Sequence, residues 1–206
     1  MLKGINKVVK TLVFSDLILL FGWGLIDPIL AVFVIQNIKG GDASVAGIAV
    51  GIYWLIKSIA ILPISRFLDK TDGERDDFYA MVFGILVASL VPLGLLFVSL
   101  PWHLYALQAV HALAMAFALP SWCGIFTRHI PKGKEAFSWS LDSSALGIGA
   151  GLAGIIGGVS VAIIGFKLLL IAVFILSFTS GLILIAIKKH LLPKKDSRIY
   201  NIPKYY

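Results

Sequence analysis

Residues 136–187 read AFSWSLDSSALGIGAGLAGIIGGVSVAIIGFKLLLIAVFILSFTSGLILIAI. Only Asp142 and Lys167 carry charge in that stretch. A helix needs about 20 apolar residues to cross the hydrocarbon core. Gly165, Phe166 and Lys167 supply a turn, dividing the stretch into spans over 136–163 and 167–187. The period-2 alternation of a membrane strand is absent, so helices are the expected spanning elements. Working towards the N-terminus, four more apolar stretches occupy approximately 11–35, 44–64, 78–99 and 102–127.

The whole chain agrees. Its 206 residues are 59% hydrophobic and 14% charged, with a mean hydropathy of +0.94. Soluble domains carry roughly 25% charged residues. The expected fold is an all-α polytopic membrane protein with a six-helix transmembrane domain over residues 1–190 and a basic tail over 191–206. The first stretch is too long for a signal peptide and is interrupted by Asp16, Asp27 and Pro28. The single cysteine, Cys123, excludes an intramolecular disulfide.

The net charge of +7 is better explained by a cytoplasmic rim than by nucleic acid. Lys3, Lys7 and Lys10 share one side with Arg66, Lys70, Arg75, Arg128, Lys132, Lys134 and the cluster from Lys188 onward. The other side carries only Lys39 and Lys167. The positive-inside rule therefore predicts cytoplasmic termini and an even number of spans in a plasma membrane, with the tail lying on the anionic leaflet.

Ionisable residues inside spans mark cavities or partners. Asp16 and Asp27 are close to three helical turns apart and project from one face of span one, with Trp23. Asp27 and His111 each lie about ten residues from the outer ends of their spans, roughly 15 Å deep at 1.5 Å per residue. A carboxylate and a histidine at one depth suit proton exchange, making Asp27 and His111 the proton-coupling candidates. Gln108 lies one turn from His111. Lys57 and Asp16 are placed to pair at a lower level. The alternatives are a wetter outer helix section for Asp27, a helix–helix hydrogen bond for His111 and snorkelling for Lys57.

Span five carries Gly147, Gly151, Gly154 and Gly158, extended by Ser140 and Ser144. Span two has Ala43, Gly47 and Gly51. Such small-residue faces let helix backbones approach closely, within one bundle or between subunits.

The loop after span two reads Ser65-Arg66-Phe67-Leu68-Asp69-Lys70-Thr71-Asp72-Gly73-Glu74-Arg75-Asp76-Asp77. It resembles the signature loop of the major facilitator superfamily, G-x-x-x-D-[RK]-x-G-[RK]-[RK], with Asp69-Lys70 as the acidic–basic pair. Gly73 and Arg75 match its later positions, shifted by one residue. Ser65 replaces the first glycine and the second basic residue is acidic. Span four resembles the family's R-x-x-Q-G helix through Gln108, with Tyr105 at the arginine and Ala109 at the glycine. The glycine run of span five resembles the fifth-helix motif without its G-P pair. The chain thus resembles a half-size, six-helix member, similar to those of small-genome bacteria.

That resemblance implies one 3+3 inverted repeat, half of a twelve-helix transporter, completed as a parallel homodimer. Spans one and four would line the central cavity. Span two of one subunit would pack on span five of the other, placing Gly47, Gly51, Gly147, Gly151, Gly154 and Gly158 at the interface. Asp27, Gln108, His111, Trp23, Tyr53 and Lys57 would appear twice around the two-fold axis. Asp69 would dock at the start of the partner's span five, where a helix N-terminus favours a carboxylate. Lys70 or Arg75 would pair with Asp142 or Glu135, latching the cytoplasmic side.

The expected function is secondary-active or facilitative transport of a small solute by alternating access, with proton coupling as an option. The alternative is a non-transporting scaffold or an accessory subunit needing a partner chain. The expected partners are a second copy, membrane lipid and a small-molecule substrate. No G-x-x-x-x-G-K-[ST] loop is present. The four histidines are scattered, so neither an enzyme nor a metal or cofactor site is expected.

Overall fold

The computed structural model describes residues 4–70 and 74–191. Gly73 of the charged loop, Lys3 and the basic tail beyond Leu191 lie outside these. The helices are α1 (Lys7–Gly24), α2 (Leu30–Asn37), α3 (Ala43–Leu68), α4 (Glu74–Leu95), α5 (Pro101–His129), α6 (Glu135–Ile185) and the short α7 (Lys188–Leu191). Five helical runs among the described residues are long and apolar enough to cross a membrane: Lys7–Asn37, Ala43–Leu68, Glu74–Leu95, Pro101–His129 and Glu135–Leu191.

The sequence leads to six spans, whereas five runs are found, the fifth covering both 136–163 and 167–187 as one bent helix. Its 51 residues would reach roughly 77 Å if straight, more than twice the ~30 Å hydrocarbon core. The bend is at Gly165, with φ 75° and ψ 169°, a region open essentially to glycine alone. The two limbs of α6 run in opposite directions along α1. On the first limb, Gly149 meets Leu17 and Ala153 meets Gly24. On the second, the order reverses. Phe166 packs edge-on against Phe33, Leu176 and Ser177 lie against Gly22, and Ser180 meets Ser15.

The Ser15–Ser180 contact is reciprocal. Each hydroxyl lies within hydrogen-bonding distance of the other residue's carbonyl, at 3.0 and 2.8 Å, and the hydroxyls are 2.8 Å apart. Interhelical bonds of this type contribute about 0.6–2 kcal/mol in a bilayer.

The first run is also discontinuous. Asn6 caps α1 by accepting from the Val8 N–H at 3.0 Å. At its other end, Leu25 and Ile26 donate to the carbonyls three residues back, of Gly22 and Trp23. Pro28 has no N–H to continue the α pattern, and Asp27–Ile29 form a single 3₁₀ turn before α2. Asp27 therefore sits in the break, not on a continuous helix shared with Asp16.

Beside that break, Gly157 allows close approach, since a Cβ there would overlap the Leu25 carbonyl. α1 packs chiefly on α6, α5 packs on α3 and α4, and α4 also packs on α6. The Lys39 backbone N–H donates to the Ser99 carbonyl at 3.0 Å, tying the α2–α3 turn to the α4–α5 turn. At the opposite end, Arg128 of α5 pairs with Asp77 and with Glu74 (3.4 Å) of α4, and His129 approaches Glu74 at 3.2 Å.

Candidate transport cavity

A cavity of about 470 Å³ lies between α1, α3 and α5, lined by Trp23, Asp27, Tyr53, Trp54, Lys57, Gln108 and His111 among apolar residues. Trp23 comes from the last turn of α1 and Asp27 from the break. Tyr53, Trp54 and Lys57 come from one helical turn of α3, and Gln108 and His111 from neighbouring positions of α5. The sequence-predicted pathway residues thus converge, except Asp16.

The rings form a stack. His111 lies parallel to Trp23, with centroids 4.0 Å apart and planes 10° from parallel, and against Tyr53 at 4.7 Å. The Lys57 ammonium sits 3.7 Å from the Trp54 ring centre and 3.4 Å from the Tyr53 hydroxyl. A desolvated cation over an indole gains about 2 kcal/mol, which offsets part of its transfer into the bilayer. The Trp23 indole N–H is buried without a hydrogen-bond partner among the described residues. No hydrogen bond joins Asp27 to His111 among the described residues, so the two candidate proton carriers share a cavity without one.

Asp16 and Lys57 do not pair. Asp16 lines a second cavity of about 170 Å³ with Trp122, Cys123, Trp139 and Asp142, towards the Lys7 end of α1 and the His129 end of α5, the end termed inner and the opposite one outer. Leu19, Met115 and Leu119 line both cavities and form the apolar partition between them. The cause is geometric: Lys57 settles over the aromatic rings of its own helix at the level of the outer cavity.

Residues 12–201 match the family described as the Major Facilitator Superfamily. The chain belongs to the major facilitator superfamily. It is accordingly a multi-pass membrane protein of a transporter family, whose members are transporters and not enzymes. No curated protein matches the chain at a significant level.

Part of the charged loop falls within the described residues. Asp69 ends α3, its N–H donating to the Ser65 carbonyl at 2.8 Å. Lys70 follows, and Arg75 opens α4 beside Tyr79. The expected latch lies between subunits; within one chain the same residues have the following surroundings. Asp142 is only 5% exposed and lines the inner cavity, while Glu135 accepts from the Gly133 N–H at 3.0 Å. Within the chain, ion pairs join α4 and α5 through Arg128. Arg128, Asp77 and Glu74 are readable in the sequence as charges at helix ends, but not as partners.

The glycine stripe divides. Gly47 and Gly51 of α3, and Gly147, Gly151 and Gly158 of α6, have nothing within 4 Å of a Cβ added to them. Gly154 instead faces inward, 3.6 Å from the Pro28 ring. A separate inward set, Gly149, Ala153 and Gly157, carries the contact with α1 and its break. Sequence spacing cannot separate the two sets, because both recur at helical intervals on one helix.

Proposed function

We propose that this facilitator is a half-size transporter that moves a small solute by alternating access as a parallel homodimer. The chain crosses a plasma membrane six times, the bend at Gly165 being the turn between the fifth and sixth spans. Both termini are cytoplasmic, as the distribution of lysine and arginine favours. The six helices form one 3+3 inverted repeat, and transport is either secondary-active or facilitative.

The observation that carries this reading is the outer cavity. Polar groups that are costly in a bilayer gather there among aromatic rings, the arrangement expected of a solute path. The unoccupied glycine faces support the dimer. Glycine costs about 1 kcal/mol relative to alanine inside a helix, and lipid contact alone does not call for such a column. α3 of one subunit against the first limb of α6 of the other buries Gly47 and Gly51 on Gly147, Gly151 and Gly158. Asp27 and His111 are the proton-coupling candidates, with Gln108, Lys57, Trp23 and Tyr53 beside them. Asp69 docks at the start of the partner's α6, and Lys70 or Arg75 pairs with Glu135 there.

The test is oligomeric state in lipid bilayers, by single-molecule photobleaching at low protein-to-lipid ratio. Cysteine pairs at Gly51 and Gly151 in a Cys123→Ser background accompany it. A stable dimer joined between subunits by that pair is expected. A persistent monomer, or a dimer that the pair never joins, would overturn the homodimer and favour an accessory subunit with a different partner chain.

A further inference from the structure

The inner cavity carries its own chemistry. Asp16 of α1 and Asp142 of α6 both line it, bringing two carboxylates into about 170 Å³. None of the residues lining it is a lysine or an arginine. Asp142 is 5% exposed, and its Oδ1 has no hydrogen-bond partner among the described residues. Ser138, one turn earlier on α6, is fully buried with its hydroxyl likewise unpartnered among them. A buried carboxylate oxygen without a donor is costly, so the site is built for something that neutralises it.

The rest of the lining says what. Trp122 and Trp139 stand with ring centres 6.2 Å apart and planes inclined by 60°. Phe126 backs both, stacked on Trp122 at 4.6 Å and tilted against Trp139 at 4.8 Å. Indole faces attract cations, and paired indoles with carboxylates suit alkylated ammonium groups. A divalent metal is a poorer fit, since no group of three or more His, Cys, Asp or Glu among the described residues could hold one. The volume lies below the ~300 Å³ at which drug-sized pockets begin, so the group accommodated is small.

We propose that the inner cavity is a binding site for a small organic monocation, an alkylated ammonium held between Asp16 and Asp142 against Trp122 and Trp139. It is separate from the outer cavity, where Lys57 adds a positive charge, and it adjoins that cavity through Leu19, Met115 and Leu119. The site stands on its own lining, and equilibrium binding tests it whether or not the chain transports.

Cys123 lines the same cavity and is the single cysteine of the chain, so its modification reports occupancy without any substitution. The purified full chain in lipid nanodiscs is treated with methyl methanethiosulfonate. The rate is followed with added choline, with its uncharged carbon isostere 3,3-dimethylbutan-1-ol, or with sodium chloride. Choline is expected to slow the modification saturably, while the neutral alcohol and sodium at equal concentration leave it unchanged. Asp16→Asn and Asp142→Asn are each expected to weaken the choline effect roughly tenfold or more. Equal protection by the alcohol, or no protection by choline, would overturn the proposal. Equal protection by sodium would overturn it in favour of an inorganic cation. If an Asn variant fails to fold, the comparison of the three solutes on the unaltered chain still decides.

Discussion

Gly157 and Gly151 lie on one helix but have opposite surroundings. A Cβ at Gly157 overlaps the Leu25 carbonyl, whereas one at Gly151 meets nothing within 4 Å. Gly157→Ala is expected to destabilise the chain by about 1–3 kcal/mol, the cost of overpacking a tight contact. Gly151→Ala should leave the isolated bundle unchanged. Unfolding of each variant in mixed micelles of increasing sodium dodecyl sulfate measures the difference, and equal loss for both would refute the assignment of the two faces. At the same scale, Asp27 faces the outer cavity from a helical break. In proteoliposomes with a transported solute, Asp27→Asn should abolish uptake driven by a pH gradient while leaving solute exchange largely intact. Loss of both to the same extent would count against proton coupling through this carboxylate.

Among the elements, α6 depends on its bend and the α4–α5 pair on its Arg128 clamp. Gly165 holds φ 75° and ψ 169°, which a Cβ disfavours by about 1–3 kcal/mol. Gly165→Ala should reduce stability by that amount and loosen the return of the second limb onto α1. Increased hydrogen exchange around Ser177 and Ser180 is the measurement that checks it. At the clamp, Asp77 is 6% exposed and Arg128 is its cation. Arg128→Gln should cost about 1–3 kcal/mol, because the buried carboxylate loses its charged donor. Thermal unfolding in detergent reads that loss, and an unchanged midpoint would show that the pair is idle. The two elements are not equally legible. The apolar length of 136–187, with glycine close to Lys167, announces a turn through local pattern alone. The Arg128 clamp depends on which helix ends meet, and no local pattern records that.

For the whole molecule, the proposed dimer assigns its association to the exposed faces of α3 and the first limb of α6. Replacing Gly51 and Gly151 together with leucine should convert a dimer in bilayers to monomers, because the bulkier side chains prevent close backbone approach. Photobleaching step counts measure this, and a dimer that survives both substitutions would place the interface elsewhere. The two cavities also belong to this scale. They lie on successive levels of the bundle, joined across an apolar partition and lined in common by α1 and α5 residues.

The membrane class and the helical content follow from composition and spacing, because a bilayer admits few alternatives to long apolar helices. The likeness of the charged loop and of the Gln108 and glycine helices to the facilitator superfamily is equally legible, since those motifs lie in short continuous segments. The meeting of Asp27, Lys57 and His111 in one cavity is anticipated only in part, from depth along the helices. Depth does not predict the break at Pro28, the seat of Lys57 on Trp54, or the placement of Asp16 with Asp142 and two indoles. Those depend on how each helix is rotated and which neighbours it meets, and such packing couples residues far apart in the chain. Hydropathy records how deeply a residue can be buried, while rotation and pairing arise only when the helices close on one another.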